Sequence, residues 1–445
     1  MIGKRPEFVL SGGTVVSPAG VETCDIAMAG GRIAAIGDLA GLPAENVIDC
    51  RGLTVLPGVI DSHVHFREPG LTEHEDIESG SRAAVLGGVT TVFEMPNTDP
   101  PTTSKALLAD KVARAHHRMH CDFAFYIGAT HDNIPELREL ERLPGCAGVK
   151  VLMGTSSGSL LVEDDESIRE ILRTVRRRVA FHSEDEYRLR ERIGECIEGD
   201  VRSHSVWRDE VSALLSTRRL IALARETGQR IHIVHVTTAE EIEFLAAHKD
   251  IASVEATPHH LTFAEPESYD RLGTLVQINP PIRDATHRAM LWRGVAEGVV
   301  DIVGSDHGPQ SLDAKARPYP ASAPGMPGVQ TLVPIMLDSV NAGRISLMRF
   351  ADLTSAGPAR LFNIARKGRI AVGYDADLTI VDLKREETIA NSWIASRVGW
   401  TPYDGMRVKG WPVGTFLRGR RVMWEGGLLA PGQGEAVQFL DVLRD

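Results

Sequence analysis

The chain has 445 residues, of which 43% are hydrophobic and 24% charged, and its formal net charge is −11. This composition is typical of a globular protein long enough for one large domain and a smaller one. The negative charge argues against a nucleic-acid partner, and no window reaches the ~18 apolar residues of a membrane-spanning helix. Five scattered cysteines without a Cys-x-x-Cys pair indicate reduced thiols, so we expect a cytoplasmic protein that binds neither nucleic acid nor membrane.

Short β-strand signals separated by glycine pairs open the chain, between residues 7 and 56. A similar pattern returns near the other end, at 376–382 and 414–422. We therefore predict that residues 1–56 and 366–445 form one small β-sandwich domain.

The middle of the chain alternates strand-like apolar runs with helical segments, the pattern of parallel βαβ units. Eight such runs occur, at 59–66, 90–95, 122–127, 148–153, 179–183, 230–236, 252–256 and 301–305. Because eight parallel strands close a TIM-type barrel, we predict an α/β fold with a (β/α)8 barrel over residues 57–365. The longest irregular piece, 308–328, has the length of a functional loop.

Polar side chains stand where these runs end, and in a TIM-type barrel the C-terminal strand ends carry the chemistry. The residues found there are His63, His65, Lys150, His182, His235 and Asp306. All but the lysine are ordinary zinc ligands. A His-x-His pair alone would also suit a half-buried strand, but four histidines and an aspartate at strand ends indicate a metal centre. Several other histidines, including His204, are predicted to lie on the surface or in loops.

Six short motifs, taken together, resemble the dihydroorotase family, in the cyclic-amidohydrolase branch of the amidohydrolase superfamily. They are His63-x-His65-x-Arg67-Glu68-Pro69-Gly70, Gly87-Gly88-Val89-Thr90-Thr91, Met95-Pro96-Asn97-Thr98, Thr257-Pro258-His259-His260, Asn279-Pro280-Pro281-Ile282-Arg283 and Ser305-Asp306-His307. The motifs follow one another in the family's order. The resemblance therefore covers nearly the whole chain.

The resemblance implies two zinc ions per chain. One would be held by His63 and His65, the other by His182 and His235. A carboxylated Lys150 would bridge the two ions, because an unmodified ammonium has no lone pair to donate. The structural alternative is a Lys150 paired with a nearby acid. Asp306 would be both a ligand and the group that moves a proton between water and the leaving nitrogen.

The same resemblance implies a substrate pair, N-carbamoyl-L-aspartate and L-dihydroorotate, interconverted in pyrimidine biosynthesis. Arg67 would bind the ring carboxylate through its planar guanidinium. A structural pair of Arg67 with Glu68 or Glu73 is the alternative. Asn97 would be a second carboxylate donor, and Asn279 would bond the edge of the ring.

One position departs from the family pattern, in the loop after Asp306. The family continues Asp-His-Ala-Pro-His, whereas this chain has Gln310 at the last position. A neutral amide donates a bond of ~0.5–1.5 kcal/mol where a charged donor gives ~1.5–3 kcal/mol. Weaker carboxylate binding or a different substrate would follow. Further along, Pro327 and Gly328 are expected to offer backbone groups to the ring, and residues 154–158 form either a lid or a plain surface loop.

Two other functions remain open. A hydantoinase, dihydropyrimidinase or allantoinase would act on a neutral ring, which Arg67 opposes and Gln310 permits. A non-catalytic dihydroorotase-like partner of aspartate carbamoyltransferase should have lost metal ligands, and all six positions are intact here. For the enzyme we expect a small-molecule substrate and a homo-oligomer such as a dimer.

Overall fold

The computed structural model describes residues 5–156 and 160–441. The strands are β1 Phe8–Ser17, β2 Gly20–Ala29, β3 Arg32–Gly37, β4 Asn46–Asp49, β5 Thr54–Pro57, β6 Val59–Val64, β7 Val89–Glu94, β8 Asp122–Gly128, β9 Cys146–Leu152, β10 Val179–His182, β11 Ile231–Ile233, β12 Ala252–Ala256, β13 Ile302–Val303, β14 Leu378–Thr388, β15 Arg407–Leu417, β16 Arg420–Trp424 and β17 Gly427–Leu428. The α-helices are α1 Ile77–Leu86, α2 Lys105–Ala115, α3 Leu137–Leu140, α4 Asp165–Thr174, α5 Glu186–Glu191, α6 Ser203–Trp207, α7 Glu210–Thr227, α8 Ala239–Ala246, α9 Pro258–Thr262, α10 Glu267–Leu272, α11 Ala285–Glu297, α12 Leu312–Ala316, α13 Leu332–Asn341, α14 Leu347–Ala351 and α15 Gly357–Leu361.

Strands β6 to β13 form a parallel eight-stranded sheet in chain order, which confirms the eight predicted strands and the barrel. The first strand meets the last through His307, whose carbonyl accepts from the backbone N–H of His65 at 2.8 Å. Strands β11 and β13 are shorter than predicted. Their ladders end just before His235 and Asp306, where the backbone turns to positive φ.

The barrel strands are buried along their whole length, since helices cover their outer faces. In α4, for example, Ile168, Ile171 and Leu172 share the buried face. The same helix begins at Asp164, whose side chain accepts from the backbone N–H of Ser167 at 2.8 Å. The sequence thus specifies both the strand and the helix of this unit.

The two chain ends meet in a second sheet of nine strands, as predicted. They join where β5 pairs antiparallel with β14, with Leu378 opposite Pro57. Side chains from most of its strands, among them Ile26 and Phe416, pack in one apolar cluster. The predicted sandwich is therefore a single hydrogen-bonded sheet that curls around its own core. The exact domain limits at 56/57 and 365/366 stay a prediction.

The terminal segments brace the closed, N-terminal end of the barrel. Lys367 is buried between the carboxylates of Asp122, at 2.7 Å, and Asp377. Phe439 packs against Phe93 inside the barrel, with ring centroids 5.7 Å apart. This leaves the opposite, C-terminal strand ends for the site. Within the described ranges, no helix is long and apolar enough to cross a membrane.

Candidate active site

The predicted ligands converge at the C-terminal strand ends. Oδ1 of Asp306 lies 3.2 Å from Nε2 of both His63 and His65. Nδ1 of His182 lies 3.0 Å from Nε2 of His235. His63, His235 and Asp306 each offer a ligand atom within 4.8 Å of the others. Five residues from strands far apart in sequence thus turn their donor atoms toward one small space.

The backbone is strained at three positions around this space. Arg67, His235 and Asp306 have φ values of 62°, 37° and 47°, in the left-handed region that non-glycine residues rarely adopt. Each such residue costs roughly 1–3 kcal/mol and persists only where the surrounding structure enforces it. Strain of this kind clusters at functional sites, and here it turns the side chains at the strand ends into the cavity.

Two side chains orient the histidines of the first strand. Nδ1 of His63 donates to Oε1 of the fully buried Glu255 at 2.7 Å. Nδ1 of His65 lies 2.8 Å from Oδ1 of Asn97. When Nδ1 carries the proton, the lone pair of Nε2 is left for a metal. Both Nε2 atoms face Asp306, so the rings are held in the tautomer that a ligand needs.

Glu184 orients His182, the histidine at the end of the fifth barrel strand, β10. Its Oε2 accepts from Nε2 of His182 at 2.7 Å, which leaves Nδ1 of that ring as the ligand atom. Arg208, itself buried, binds the same carboxylate at 2.5 and 3.1 Å. Glu184 and Glu255 were not predicted as site residues. Each had only one signal in the sequence. Glu255 is an acid inside a predicted strand, and Glu184 is an acid two residues beyond the candidate ligand His182.

The electrostatics of the cluster favour an ionised Asp306 beside a neutral His65. Burial raises the pKa of Asp306, but His63, His65 and His235 outweigh it and hold that pKa well below its usual range. Burial lowers the pKa of His65 to about 4. Asp306 is therefore ionised and His65 neutral near pH 7, the forms in which both can bind a cation.

Lys150 lies on β9, buried, with its side chain in the same cavity. Burial lowers its pKa to about 8, although Glu255 and Asp306 pull in the other direction. Over residues 5–156 and 160–441 it forms no ion pair within 4.0 Å, so the pairing with an acid is not formed there. An amine with this pKa is partly neutral at pH 7, which is the form that reacts with carbon dioxide.

The donor set fits a metal centre. Four imidazoles and a carboxylate are the ligands that zinc takes in proteins. Nδ1 of His235 is buried without a hydrogen-bond partner among the described residues, and its Nε2 lies 3.0 Å from Nδ1 of His182. Such an arrangement leaves lone pairs that a cation would use. The number of ions and the bridging part of Lys150 stay predictions.

The cavity over the cluster contains three of the six residues predicted to bind substrate. Its lining includes Arg67, Asn97 and Asn279 together with the ligands. Apolar contact comes from Met95, Leu152 and Ile278. A cavity that combines many polar groups with a few apolar contacts suits a small polar ring.

Arg67 reaches the cavity from just beyond the first strand. It is 4% exposed, and its Nε donates to the carbonyl oxygen of Pro309 at 3.2 Å. The alternative partner Glu68 is taken by Arg118, at 2.7 and 2.9 Å. Burial lowers the pKa of Arg67 to about 10, so it stays charged at neutral pH.

Asn279 is oriented by His204, whose position was predicted wrongly from the sequence. His204 was expected on the surface or in a loop, but it is 1% exposed on α6. Its Nε2 lies 2.9 Å from Oδ1 of Asn279 and 3.0 Å from the carbonyl oxygen of Ile278. Both partners are acceptors, so His204 donates, and the NH2 group of Asn279 is directed to other partners.

Three predicted substrate residues lie outside the described lining of the cavity. Nε2 of Gln310 donates to the carbonyl oxygen of Pro324 at 3.1 Å, and the backbone N–H of Gly328 donates to His307. Pro327 and Gly328 line a separate small cavity. The Pro-Gly pair in the active-site cavity is Pro324 and Gly325 instead. Substrate contacts by Gln310, Pro327 and Gly328 stay predictions.

The loop predicted as a lid follows Lys150. Ser156 lines the cavity, and both N and Oγ1 of Thr155 donate to Oε2 of Glu186, at 2.7 and 2.8 Å. Ser157 and Gly158 lie outside the described residues. The lid therefore remains a prediction.

A TIM-type barrel with four histidines, a lysine and an aspartate at its open end defines a class, the metal-dependent hydrolases built on this fold. The chain belongs to the amidohydrolase family, whose model matches residues 54–422. It is therefore a hydrolytic enzyme. The predicted family, fold and enzyme class are confirmed, and a non-catalytic partner protein is not supported.

The relatives found by comparison do not all carry the same enzyme name. A dihydroorotase of Methanosarcina mazei is 34% identical over 436 residues, covering 94% of each chain. An allantoinase of Solibacter usitatus is 37% identical over 431 residues, covering 94% of this chain and 93% of that one. Among solved structures, the L-hydantoinase (dihydropyrimidinase) from Arthrobacter aurescens has a TM-score of 0.92 at 30% identity, over 97% of this chain and 99% of the other.

Proposed function

We propose that this enzyme is a dihydroorotase, which interconverts N-carbamoyl-L-aspartate and L-dihydroorotate. The observation that carries the proposal is the buried guanidinium of Arg67 in the cavity that holds the metal-ligand cluster. In the part of the chain that the structure describes, no carboxylate forms an ion pair with Arg67, and a buried cation of this kind favours an anionic substrate. A dihydroorotase relative over 94% of the chain supports the same choice.

Two zinc ions are proposed in the cluster. His63 and His65 would hold one ion and His182 and His235 the other, with carboxylated Lys150 as the bridge. Asp306 would complete the set. When bound, such ions lower the pKa of a water molecule to ~7 and polarise a ring carbonyl.

Side chains of the protein would transfer the proton and bind the substrate. Asp306, ionised beside the cluster, accepts a proton from the attacking water and returns it to the leaving amide nitrogen. Arg67 and Asn97 bind the ring carboxylate, and the NH2 group of Asn279 donates to the ring. In the closing direction the same groups hold the two ends of carbamoyl-aspartate together.

The cellular setting is also a proposal. The five cysteines of the sequence are all free thiols, and three are buried, which suits a reducing compartment such as the cytoplasm. Dihydroorotate formation would place the enzyme in pyrimidine biosynthesis. We propose a homo-oligomer as well, with the oligomeric state to be read from its mass in solution.

A second candidate is an enzyme for a neutral ring, such as a hydantoin, dihydrouracil or allantoin. The specific observation in its favour is Gln310, which bonds the loop carbonyl of Pro324 and brings no second cation to the cavity. The structural likeness to a hydantoinase is consistent with it. Arg67 is the residue that opposes it.

Replacing Arg67 by methionine separates the two candidates. The ring carboxylate would lose its charged partner in a buried site, at a loss of several kcal/mol, or on the order of a hundredfold or more in kcat/KM for dihydroorotate. Turnover of dihydrouracil, which lacks the carboxylate, should change little. Steady-state kinetics with both substrates give the answer.

Arg178 offers a matched control. It is a partly buried arginine that also donates to a backbone carbonyl, that of Ile231 at 2.8 Å, and burial lowers its pKa to about 10. It precedes β10, at the closed end of the barrel, so Arg178→Met should leave the ratio of the two substrates unchanged. Intact dihydroorotate turnover in Arg67→Met would refute the dihydroorotase proposal.

A further inference from the structure

A second buried cation lies behind the wall of the active-site cavity. Lys315, on α12 in the long loop after Asp306, is 1% exposed. Its Nζ donates to three backbone carbonyl oxygens, those of Gln277 at 3.1 Å, Ala323 at 2.8 Å and Gly325 at 2.9 Å. No carboxylate forms an ion pair with it in the described part of the chain.

These contacts define the charge of Lys315. A neutral amine has two N–H donors, whereas an ammonium has three. Only the ammonium can donate to all three carbonyl oxygens at once, so these contacts favour the charged form. A buried ammonium without an acid is unfavourable, and burial accordingly lowers its pKa well below the usual value, with Arg67 adding to the effect.

The three carbonyls belong to two walls of the cavity. Gln277 directly precedes Ile278 and Asn279, and Gly325 lines the cavity itself. The walls are also joined by the N–H of Gly325, which donates to the carbonyl oxygen of Gln277 at 2.8 Å. Lys315 thus fastens the Asn279 wall to the Gly325 wall.

Gly325 also lies next to Arg67. Gly325 has a φ of +112°, which favours glycine, and a Cβ placed there would lie 2.4 Å from the carbonyl oxygen of Gly308 and 3.6 Å from Nη2 of Arg67. The Nζ of Lys315 and the guanidinium of Arg67 therefore both lie next to Gly325. Two basic side chains converge here, and among the described residues no acid forms an ion pair with Lys315.

We infer that Lys315 is a positioning and specificity-determining residue, which holds the Asn279 and Gly325 walls in place and adds positive charge behind the subsite for an anionic ring. The inference rests on the proposed function and deepens it. The substrate carboxylate is the counter-ion that Lys315 and Arg67 share. The charge that Gln310 does not supply is thus provided by a residue outside the cavity.

The test measures binding without turnover. Calorimetric titration of the metal-loaded enzyme uses orotate, a planar ring carboxylate, and uracil, the same ring without the carboxylate. In Lys315→Met, orotate binding should weaken by about tenfold or more, because a charge close to the anion is lost, while uracil binding changes much less. Lys315→Gln, which keeps two amide donors without the charge, carries the test if the methionine variant does not fold.

Lys249 provides the control, since it also donates to a backbone carbonyl, that of Val299 at 2.7 Å, beside Asp301 at the closed end of the barrel. Lys249→Met should keep the wild-type ratio of orotate to uracil affinity. A wild-type preference for orotate that both Lys315 variants preserve would overturn the inference and leave the proposed function standing. A wild-type enzyme with no preference for orotate would overturn the proposed function and the inference with it.

Discussion

Lys150→Ala is expected to lose at least one metal ion per chain and nearly all hydrolysis. This expectation follows from the position of Lys150 and from the chemistry of its amine. Lys150 shares the cavity with the histidine cluster, and a carbamate on its amine would give one oxygen to each of two cations. Alanine would remove both oxygens at once, so each of the two proposed cations would lose a ligand, and the shared negative charge between them would be lost.

Metal content after dialysis and kcat for dihydroorotate measure this effect. Lys150→Arg is the matched variant, because it keeps a positive charge of similar reach but cannot form the carbamate. It should fail as Lys150→Ala does. Labelling the wild type with 13C-bicarbonate should add a carbamate resonance that both variants lack. Full metal occupancy with wild-type turnover in Lys150→Ala would show that the lysine is not a ligand.

Asp306→Asn is expected to lower kcat by ~10²–10⁴-fold, the usual contribution of general acid–base catalysis. The asparagine keeps the shape of the side chain and one oxygen toward His63 and His65, so most of the metal should stay bound. It cannot accept and return the proton. KM should therefore change less than kcat.

Metal analysis on the same preparation distinguishes the proton-transfer role from simple loss of metal. If Asp306→Asn keeps its metal and still turns over within threefold of the wild type, Asp306 is not the proton acceptor. If activity falls only in proportion to the metal that is lost, Asp306 acts as a ligand alone. The predicted result is a fall in kcat much larger than the loss of metal.

The fold could be predicted from the sequence because its signals are local. Each barrel strand is a largely apolar run, and neighbouring runs pair in parallel in chain order. The strand ends then placed His63, His182 and Asp306 together without any further information. Periodicity and position were sufficient for this part of the site.

The supporting residues could not be predicted because their partners are distant in sequence. Glu255 meets His63 across 192 positions, and His204 meets Asn279 across 75. Nothing local to His204 on α6 marks it as buried. Such pairs become visible only when the barrel has brought its strands side by side.

The loop after Asp306, residues 308–328, could not be interpreted from the sequence for a different reason. Two Pro-Gly pairs stand three residues apart in it, at Pro324-Gly325 and Pro327-Gly328. The first pair lines the cavity, and Lys315 donates to the carbonyl oxygen of its glycine. A loop without periodicity carries no sequence signal for that choice.

The most direct test of the proposed function is one comparison on the metal-loaded wild-type enzyme. It measures kcat/KM for dihydroorotate, dihydrouracil, hydantoin and allantoin side by side, before and after the metal is removed with a chelator. We predict that dihydroorotate exceeds each neutral ring by at least about a hundredfold, matching the charge interaction assigned to Arg67, and that chelation abolishes the reaction. A neutral ring turned over better than dihydroorotate would contradict the proposal.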